Sequence, residues 1–565
     1  MPYHYLSRVM IIPSDLMCLF ITLFWCSFVS WTPLLAKNTN SSKDDPREIW
    51  SRLPLFDDLH DHSNVLADFP DDFQFGLANA PSHVEDSLED SWLEFAKRGG
   101  VKAFDNIYQP EKRLNFFSDP LIEIKLAKET GVKIFRLGIS WARLVPDLPA
   151  QFCVLLFCPR QIQDLKALER YRQILTLIKK HDMQVMVTLF HHDMPKWAIP
   201  TYADHTLSKL GWLNPSLKSY FHDFALEVVD ELGDQIDYIV IFNEPVVFSL
   251  LTHLIDYWPP GDIKDPKNSV FNFDVMFRGL RDFSEVMENI IATHIQVYKS
   301  IKEKHPRIKI GASHLSPLIT NRSGPLLKFL VQHLHKNLIV YGFPDATIQY
   351  LDFLGLNYYG EEELRLFDYS LPKNRSSLYS DSGRKLNADG LYQILMDFHT
   401  RYKKRNPSLE YIITENGIAD DTDLVRMPYL IEHLLAVHHA IRDGVNIKGY
   451  IFWTISDNWE WADGYCPKFG LVHVDRANNF ARYPKPSFHL FKSLVNRGHI
   501  TESMREYAHN AVDVALHLRD NDQKFAQRWD GKRSFCRKEN GIHGHDQPLR
   551  IPLQTNNNWY FQNTK

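Results

Sequence analysis

Eight short apolar runs, separated by stretches of helical periodicity, restrict what this chain can fold into more than any other feature. They are Phe73 to Ala80, Val132 to Ser140, Gln184 to Phe190, Tyr238 to Asn243, Ile308 to Ala312, Phe353 to Asn357, Tyr411 to Thr414 and Ile447 to Trp453. Most of them carry β-branched residues, and all are short enough to be strands. The stretches between them, such as Leu168 to Ile178 and Met427 to Ile441, carry apolar residues three and four apart, the spacing of one helix face. Eight strands alternating with helices over about 430 residues predict one α/β domain, a (β/α)8 TIM barrel with long loops, rather than several domains. The barrel is expected over residues 69–500.

The two ends read differently. Leu16 to Ala36 is a run of 21 residues without a charge. A helix of that length spans roughly 30 Å, enough to cross a bilayer. Residues 1–37 are therefore expected to be an N-terminal hydrophobic membrane anchor, with a cleaved signal as the alternative. Residues 38–68 turn polar and charged and read as a linker. From about Thr501 the strand-helix rhythm stops, so residues 501–565 are expected to be an irregular C-terminal tail of unknown role. One internal segment is odd: Phe152 to Phe157 is apolar where a surface loop is expected, and reads either as a lipid-facing loop or as a fault in the sequence.

Charge and composition remove several function classes. With 64 Lys+Arg against 69 Asp+Glu, the net charge of -5 provides no basic field for a phosphate backbone, so no nucleic-acid partner is expected. The six Cys include no Cys-x-x-Cys pair, and the histidines of His191-His192-Asp193 and of His433, His438 and His439 lack zinc spacing; no metal site is expected. Rings are abundant, at 36 Phe, 24 Tyr and 13 Trp. Sugar-binding clefts use such rings as flat apolar walls.

In a parallel barrel the active site collects at the carboxyl ends of the strands. Two of the eight runs end in glutamates: Ile241-Phe242-Asn243-Glu244-Pro245 and Ile413-Thr414-Glu415-Asn416-Gly417. Each Glu alone could cap a following helix. Two carboxyl groups facing one cleft instead push each other's pKa apart, as acid/base plus nucleophile chemistry requires. Strands four and seven stand on opposite sides of such a barrel, so these side chains can approach a bound ring from both sides.

The motifs Asn243-Glu244-Pro245 and Thr414-Glu415-Asn416-Gly417 resemble the two signatures of glycoside hydrolase family 1, the β-glucosidase family. Phe75 to Ala78 with Val84-Glu85, Arg136 to Arg143, Thr188 to Pro195, Asn357-Tyr358-Tyr359 and Trp453 to Val474 extend the similarity over about Phe69 to Asn496. The resemblance implies Glu244 as general acid/base and Glu415 as nucleophile. It implies Asn243 on the sugar 2-hydroxyl, and Arg136 and Tyr359 orienting Glu415. It places His83, His191, Asn357, Glu460 and Trp461 among the sugar-binding residues, with Trp453 as the stacking floor. No cofactor is required by that chemistry.

Departures from the family pattern narrow the reading. His83 stands where the family has Gln, and His192 where it has Trp; Pro81, Asp86, Ile241 and Trp459 are also unusual. With Tyr429 to Leu435 and Thr454 to Tyr465, this combination resembles the plant Sensitive to Freezing 2 branch, galactolipid:galactolipid galactosyltransferases of the chloroplast outer envelope. The resemblance implies monogalactosyldiacylglycerol as donor and acceptor, oligogalactolipids and diacylglycerol as products, a membrane lipid surface as partner, and stimulation by a divalent cation. Two other readings stand beside it: a membrane-bound or secreted β-glucosidase or β-galactosidase that uses water, and a catalytically dead sugar- or lipid-binding relative. In the secretory pathway, the sequons at Asn40, Asn321 and Asn374 would matter.

Overall fold

The computed structural model describes residues 46–521 apart from 51–52, 54–55, 57–60, 102–103, 105–106, 150–159, 200–210, 255–256, 260–272, 322–334 and 365–377. The apolar runs Leu16 to Ala36 and Phe152 to Phe157 lie outside the described residues, as do Asn40 and Asn374. No helix among the described residues is long and apolar enough to cross a membrane.

All eight apolar runs form strands. We label them β1 (Gln74–Ala78), β2 (Ile134–Gly138), β3 (Gln184–Phe190), β4 (Tyr238–Asn243), β5 (Lys309–Leu315), β6 (Phe353–Tyr358), β7 (Glu410–Asn416) and β8 (Ile447–Phe452). They pair in sequence order, every pairing is parallel, and β8 returns to β1 to close the barrel. Closure leaves no strand edge unpaired. Inside it, Ile134, Met186, Val240, Phe353, Ile412 and Ile451 fill the lumen, so the barrel is a packed core and not a pore. Outside it, helices such as Leu165–Lys180, Leu217–Leu232, Phe273–Lys304 and Arg426–Arg442 bury their apolar faces on the strands. Asp164 accepts a bond from the Ala167 amide and thereby caps the first of these helices.

The flanks are more ordered than the sequence predicts. Val65–Asp68, expected in the linker, is a strand paired antiparallel with His499–Thr501. Beyond it, where an irregular tail is expected to begin, Glu502–Asn521 is a 20-residue helix. It buries Met504, Ala508, Ala511 and Ala515, a stripe at helical spacing. On its other edge Arg505 and His509 both reach Glu432 of helix Arg426–Arg442, at 2.7 and 2.8 Å. Residues 522–565 lie outside the described residues.

Met504 is fully buried at the start of that stripe. Met504→Ala is expected to cost about 2–5 kcal/mol, as large-to-small core substitutions do. A thermal melt of the full chain should show Tm falling by several degrees. An unchanged Tm would mean that this helix does not dock in solution.

Candidate active site

The carboxyl ends of the strands carry every residue that the sequence predicts for the site. Arg136 lies on β2, Asn243 ends β4, Asn357 lies near the end of β6 and Glu415 on β7. Glu244, Tyr359 and Trp453 directly follow β4, β6 and β8. His191 follows β3, His83 sits in the short helix Pro81–Val84 after β1, and Glu460 and Trp461 come from the loop after β8.

Arg136 is the hub. It is fully buried, and its guanidinium donates to four groups: Glu415 Oε1 at 2.6 Å, the Thr414 carbonyl at 3.0 Å, Thr188 Oγ1 at 3.1 Å and Asn243 Oδ1 at 2.8 Å. The Tyr359 hydroxyl donates to the other carboxylate oxygen, Glu415 Oε2, at 2.6 Å. Two donors, one of them a guanidinium, each on its own carboxylate oxygen, fix the direction of the Glu415 side chain.

The same hub reaches the second carboxyl group. Asn243 Oδ1 also accepts from Asn357 Nδ2 at 3.2 Å, and that Nδ2 donates to Glu244 Oε1 at 2.8 Å. A continuous hydrogen-bonded chain thus runs Glu415–Arg136–Asn243–Asn357–Glu244. Thr414 Oγ1 donates to Asn357 Oδ1 at 2.7 Å and locks the amide's orientation. The chain has a free arm as well. Since Asn243 Oδ1 is occupied as an acceptor, its Nδ2 donates to His191 Nε2, 3.1 Å away. The hydrogen of His191 is then on Nδ1, which is buried without a partner among the described residues and available to a ligand hydroxyl.

Glu244 does not cap the helix that follows it. Pro245–Ser249 begins there, but the Glu244 side chain makes no capping bond, and the residue is held at φ 44° and ψ 52°, a left-handed conformation uncommon outside glycine. Burial pushes its carboxyl up to about 8, and the negative charge of Glu415 adds to the shift. At neutral pH one carboxyl group of the cleft is therefore protonated beside another held by Arg136 and Tyr359. Such a pair can protonate a leaving oxygen from one side and attack a carbon from the other.

A ring-lined floor completes the cleft. His83 meets Trp461 and Trp453 edge-on, with ring centres 4.1 and 5.0 Å apart. His191 stacks near both of the same rings, at 5.9 and 5.8 Å. His83 Nδ1 lies 3.3 Å from Asn458 Oδ1 and 4.0 Å from a Glu460 carboxylate oxygen. Burial holds His83 down to about 3, and lowers His191 and His192 well below the ordinary imidazole range. All three rings are neutral at physiological pH. Glu460 is pushed up to about 8 by burial and by Asp463. Gly417 sets the distance between β7 and this floor, because a Cβ there would lie 2.0 Å from the Trp453 carbonyl oxygen.

A family model for glycosyl hydrolase family 1 matches residues 65–325 and 345–499, which contain all of these side chains. The chain belongs to glycosyl hydrolase family 1. Among curated relatives of this family 1 chain, "Beta-glucosidase-like SFR2, chloroplastic" of Oryza sativa subsp. japonica is 38% identical, covering 79% of this chain and 77% of the relative. "Galactolipid galactosyltransferase SFR2, chloroplastic" of Arabidopsis thaliana is 36% identical, covering 81% and 79%. A solved β-glycosidase from Pyrococcus horikoshii superposes with a TM-score of 0.63 at 26% identity, covering 79% of this chain and 99% of that one. It has the same barrel architecture.

Two features of this family 1 site are not assigned a task by the sequence. His192 is buried at φ 66° with neither ring nitrogen hydrogen-bonded among the described residues, stacked 5.6 Å from Phe248 and beside Trp258 and Trp461. The signal for it was its departure from the family pattern. Arg384 has its guanidinium 5.4 Å over the Tyr359 ring and carried no signal at all. His433, singled out in sequence as one of three neighbouring histidines, stacks 3.7 Å from Tyr429 and packs within its helix. Among the described residues no group of three or more His, Cys, Asp or Glu could hold a metal ion, so the divalent cation implied by resemblance has no fitting ligand set there, and no step is routed through one.

Proposed function

We propose that this family 1 enzyme transfers β-galactose between galactolipids with retention of configuration, using Glu415 as nucleophile and Glu244 as acid/base. What carries the choice of transfer over hydrolysis is the Arabidopsis relative named a galactolipid galactosyltransferase, which matches over most of both chains.

The geometry of the cleft supports the following steps. The sugar ring of monogalactosyldiacylglycerol rests on Trp453, with hydroxyls met by His83, His191, Glu460 and Trp461. Asn243 holds the 2-hydroxyl, and Asn357 keeps both Asn243 and Glu244 in place. The Glu415 carboxylate, aimed by Arg136 and Tyr359, attacks C1 while protonated Glu244 gives its hydrogen to the glycerol oxygen. Diacylglycerol leaves and galactose is esterified to Glu415. That ester carries no negative charge, so the contribution of Glu415 to the raised pKa of Glu244 disappears. Glu244, now ionised, takes the proton from a hydroxyl of a second galactolipid as that oxygen attacks C1 and frees Glu415. Hydrolysis shares the first half and differs only in which hydroxyl reaches the ester, so acceptor positioning and exclusion of water decide the outcome.

The same reading places the protein at the chloroplast outer envelope, with Leu16 to Ala36 as its membrane address and the lipid surface as the source of both substrates. The chloroplastic names of the rice and Arabidopsis relatives support it; the secretory pathway is the alternative. The test is lipid mass spectrometry after membranes carrying the full chain are incubated with monogalactosyldiacylglycerol, with Glu415→Ala as control. Di- and higher galactosyl lipids with diacylglycerol, absent in the control, are expected. Free galactose without oligogalactolipid would overturn transfer in favour of a hydrolase.

A further inference from the structure

The cleft contains one cation to which the steps above give no task. Arg384 ends a tight turn in which the Arg384 amide donates to Ser380 Oγ at 3.0 Å and the Ser380 amide to the Arg384 carbonyl at 2.8 Å. The next residue, Lys385, bridges to Glu361 just beyond Tyr359. This framework carries the Arg384 side chain over the Tyr359 ring, whose hydroxyl holds Glu415. Its Nε donates to Glu362 Oε1 at 3.2 Å, and its two terminal nitrogens have no protein partner among the described residues.

Position and charge define what those donors can hold. The side chain is 32% exposed, whereas Arg136, His83, His191 and Asn357 are buried. It therefore stands at the mouth, where leaving group and acceptor pass, and not around the buried sugar. Glu362 already balances its charge, and Glu244 and Glu460 both feel it as a nearby cation. An anionic ligand would meet the Glu362 carboxylate, and Glu244 once it has given its proton to the leaving group, at close quarters. A guanidinium with free, fork-shaped donors in an acidic mouth suits neutral hydroxyl groups instead.

We propose that Arg384 is the acceptor-binding residue of this cleft, its free terminal nitrogens holding hydroxyls of a neutral sugar headgroup above Tyr359 so that a further hydroxyl faces the galactosyl ester. In that step the acceptor O–H proton goes to Glu244, the new bond forms between the acceptor oxygen and C1, and the C1–O bond to Glu415 breaks. Water needs no such anchor, so Arg384 favours transfer over hydrolysis. The proposal rests on the transfer reading.

The measurement is the ratio of oligogalactolipid to free galactose formed by the full chain in monogalactosyldiacylglycerol vesicles. Both products arise from one covalent intermediate. A variant that merely folds less well makes less of both and leaves the ratio where it was. Arg384→Gln is expected to lower the ratio about tenfold or more, the worth of one or two lost hydrogen bonds from a charged donor. Arg384→Lys keeps the charge without the fork and is expected to fall between the two; it decides the matter if the Gln variant does not accumulate. A wild type that transfers while the variants stay within about twofold of its ratio overturns the role of Arg384 alone. A wild type that releases only free galactose overturns the transfer reading, and this one with it.

Discussion

Glu415→Ala is expected to lower turnover of any β-glycoside roughly 10,000-fold or more, the scale of loss when a covalent nucleophile is removed. The surroundings predict a second, more diagnostic effect. In the wild type, Arg136 and the Tyr359 hydroxyl each donate to one oxygen of Glu415 at 2.6 Å. Truncation leaves a fully buried guanidinium and a phenol facing a carboxylate-sized void. That void is a site for a small anion. Azide added to the variant should occupy it, attack C1 from the nucleophile's side and release a glycosyl azide of inverted configuration. Product anomers are read by proton NMR. The unbalanced Arg136 should also cost stability, about 3–5 kcal/mol for a buried pair that loses one partner, so the assay is run well below the lowered Tm. A variant retaining more than about a tenth of wild-type turnover, or azide giving only the retained anomer, would remove Glu415 from the nucleophile's role.

The part of this site that the sequence announces is the part fixed by strands. β2 and β6 are buried along their whole length, and the other barrel strands nearly so, which makes each a continuous apolar run; the residue that breaks the run marks the carboxyl end. Glu244 and Glu415 stand at two such breaks, and the neighbouring Asn243 and Thr414 join the network that holds them. Arg136 is legible for a related reason. A charge within a fully buried strand needs partners, and here it has four.

What the sequence hides has identifiable causes. Helix Glu502–Asn521 docks through Met504, Ala508, Ala511, Ala515 and Leu518, with Tyr507 and Val514 packed beside them, a stripe in which three of the five fully docked positions are alanines and charged residues stand between. Strand Val65–Asp68 is four residues long, and its partner, His499–Thr501, lies at the far end of the barrel sequence, beyond any local pattern. Arg384 reaches the cleft through a turn pinned by Ser380 and a bridge to Glu361, so its place depends on pairings outside its own segment. The aromatic excess announces a sugar-sized floor in general terms. Only the fold shows that His83 and His191 share the same two tryptophan rings.

Replacing the other glutamate separates acid from base. Burial and the charge of Glu415 push Glu244 up to about 8, so the acid form, which under the proposed mechanism protonates the leaving oxygen, dominates at pH 7 and is lost as pH rises through that value. The pH profile of wild-type kcat/KM should therefore have a basic limb near pH 8. Glu244→Gln cannot titrate, and this limb should vanish. Cleavage of a poor leaving group such as an alkyl galactoside is expected to fall about 100- to 10,000-fold, the usual contribution of a general acid. An activated aryl galactoside, whose phenolate leaves without a proton, should form the galactosyl ester with far less loss. The ester then accumulates, because the variant has no base to draw a proton from the acceptor. Azide needs no base, so it should restore turnover here as well, now attacking the ester from the opposite face and giving the retained anomer. The two variants are thus expected to yield azides of opposite configuration from one substrate, as the proposed roles of Glu244 and Glu415 on opposite sides of the ring require. A Glu244→Gln enzyme that keeps its basic limb, or loses alkyl and aryl substrates equally, would mean that another group supplies the proton.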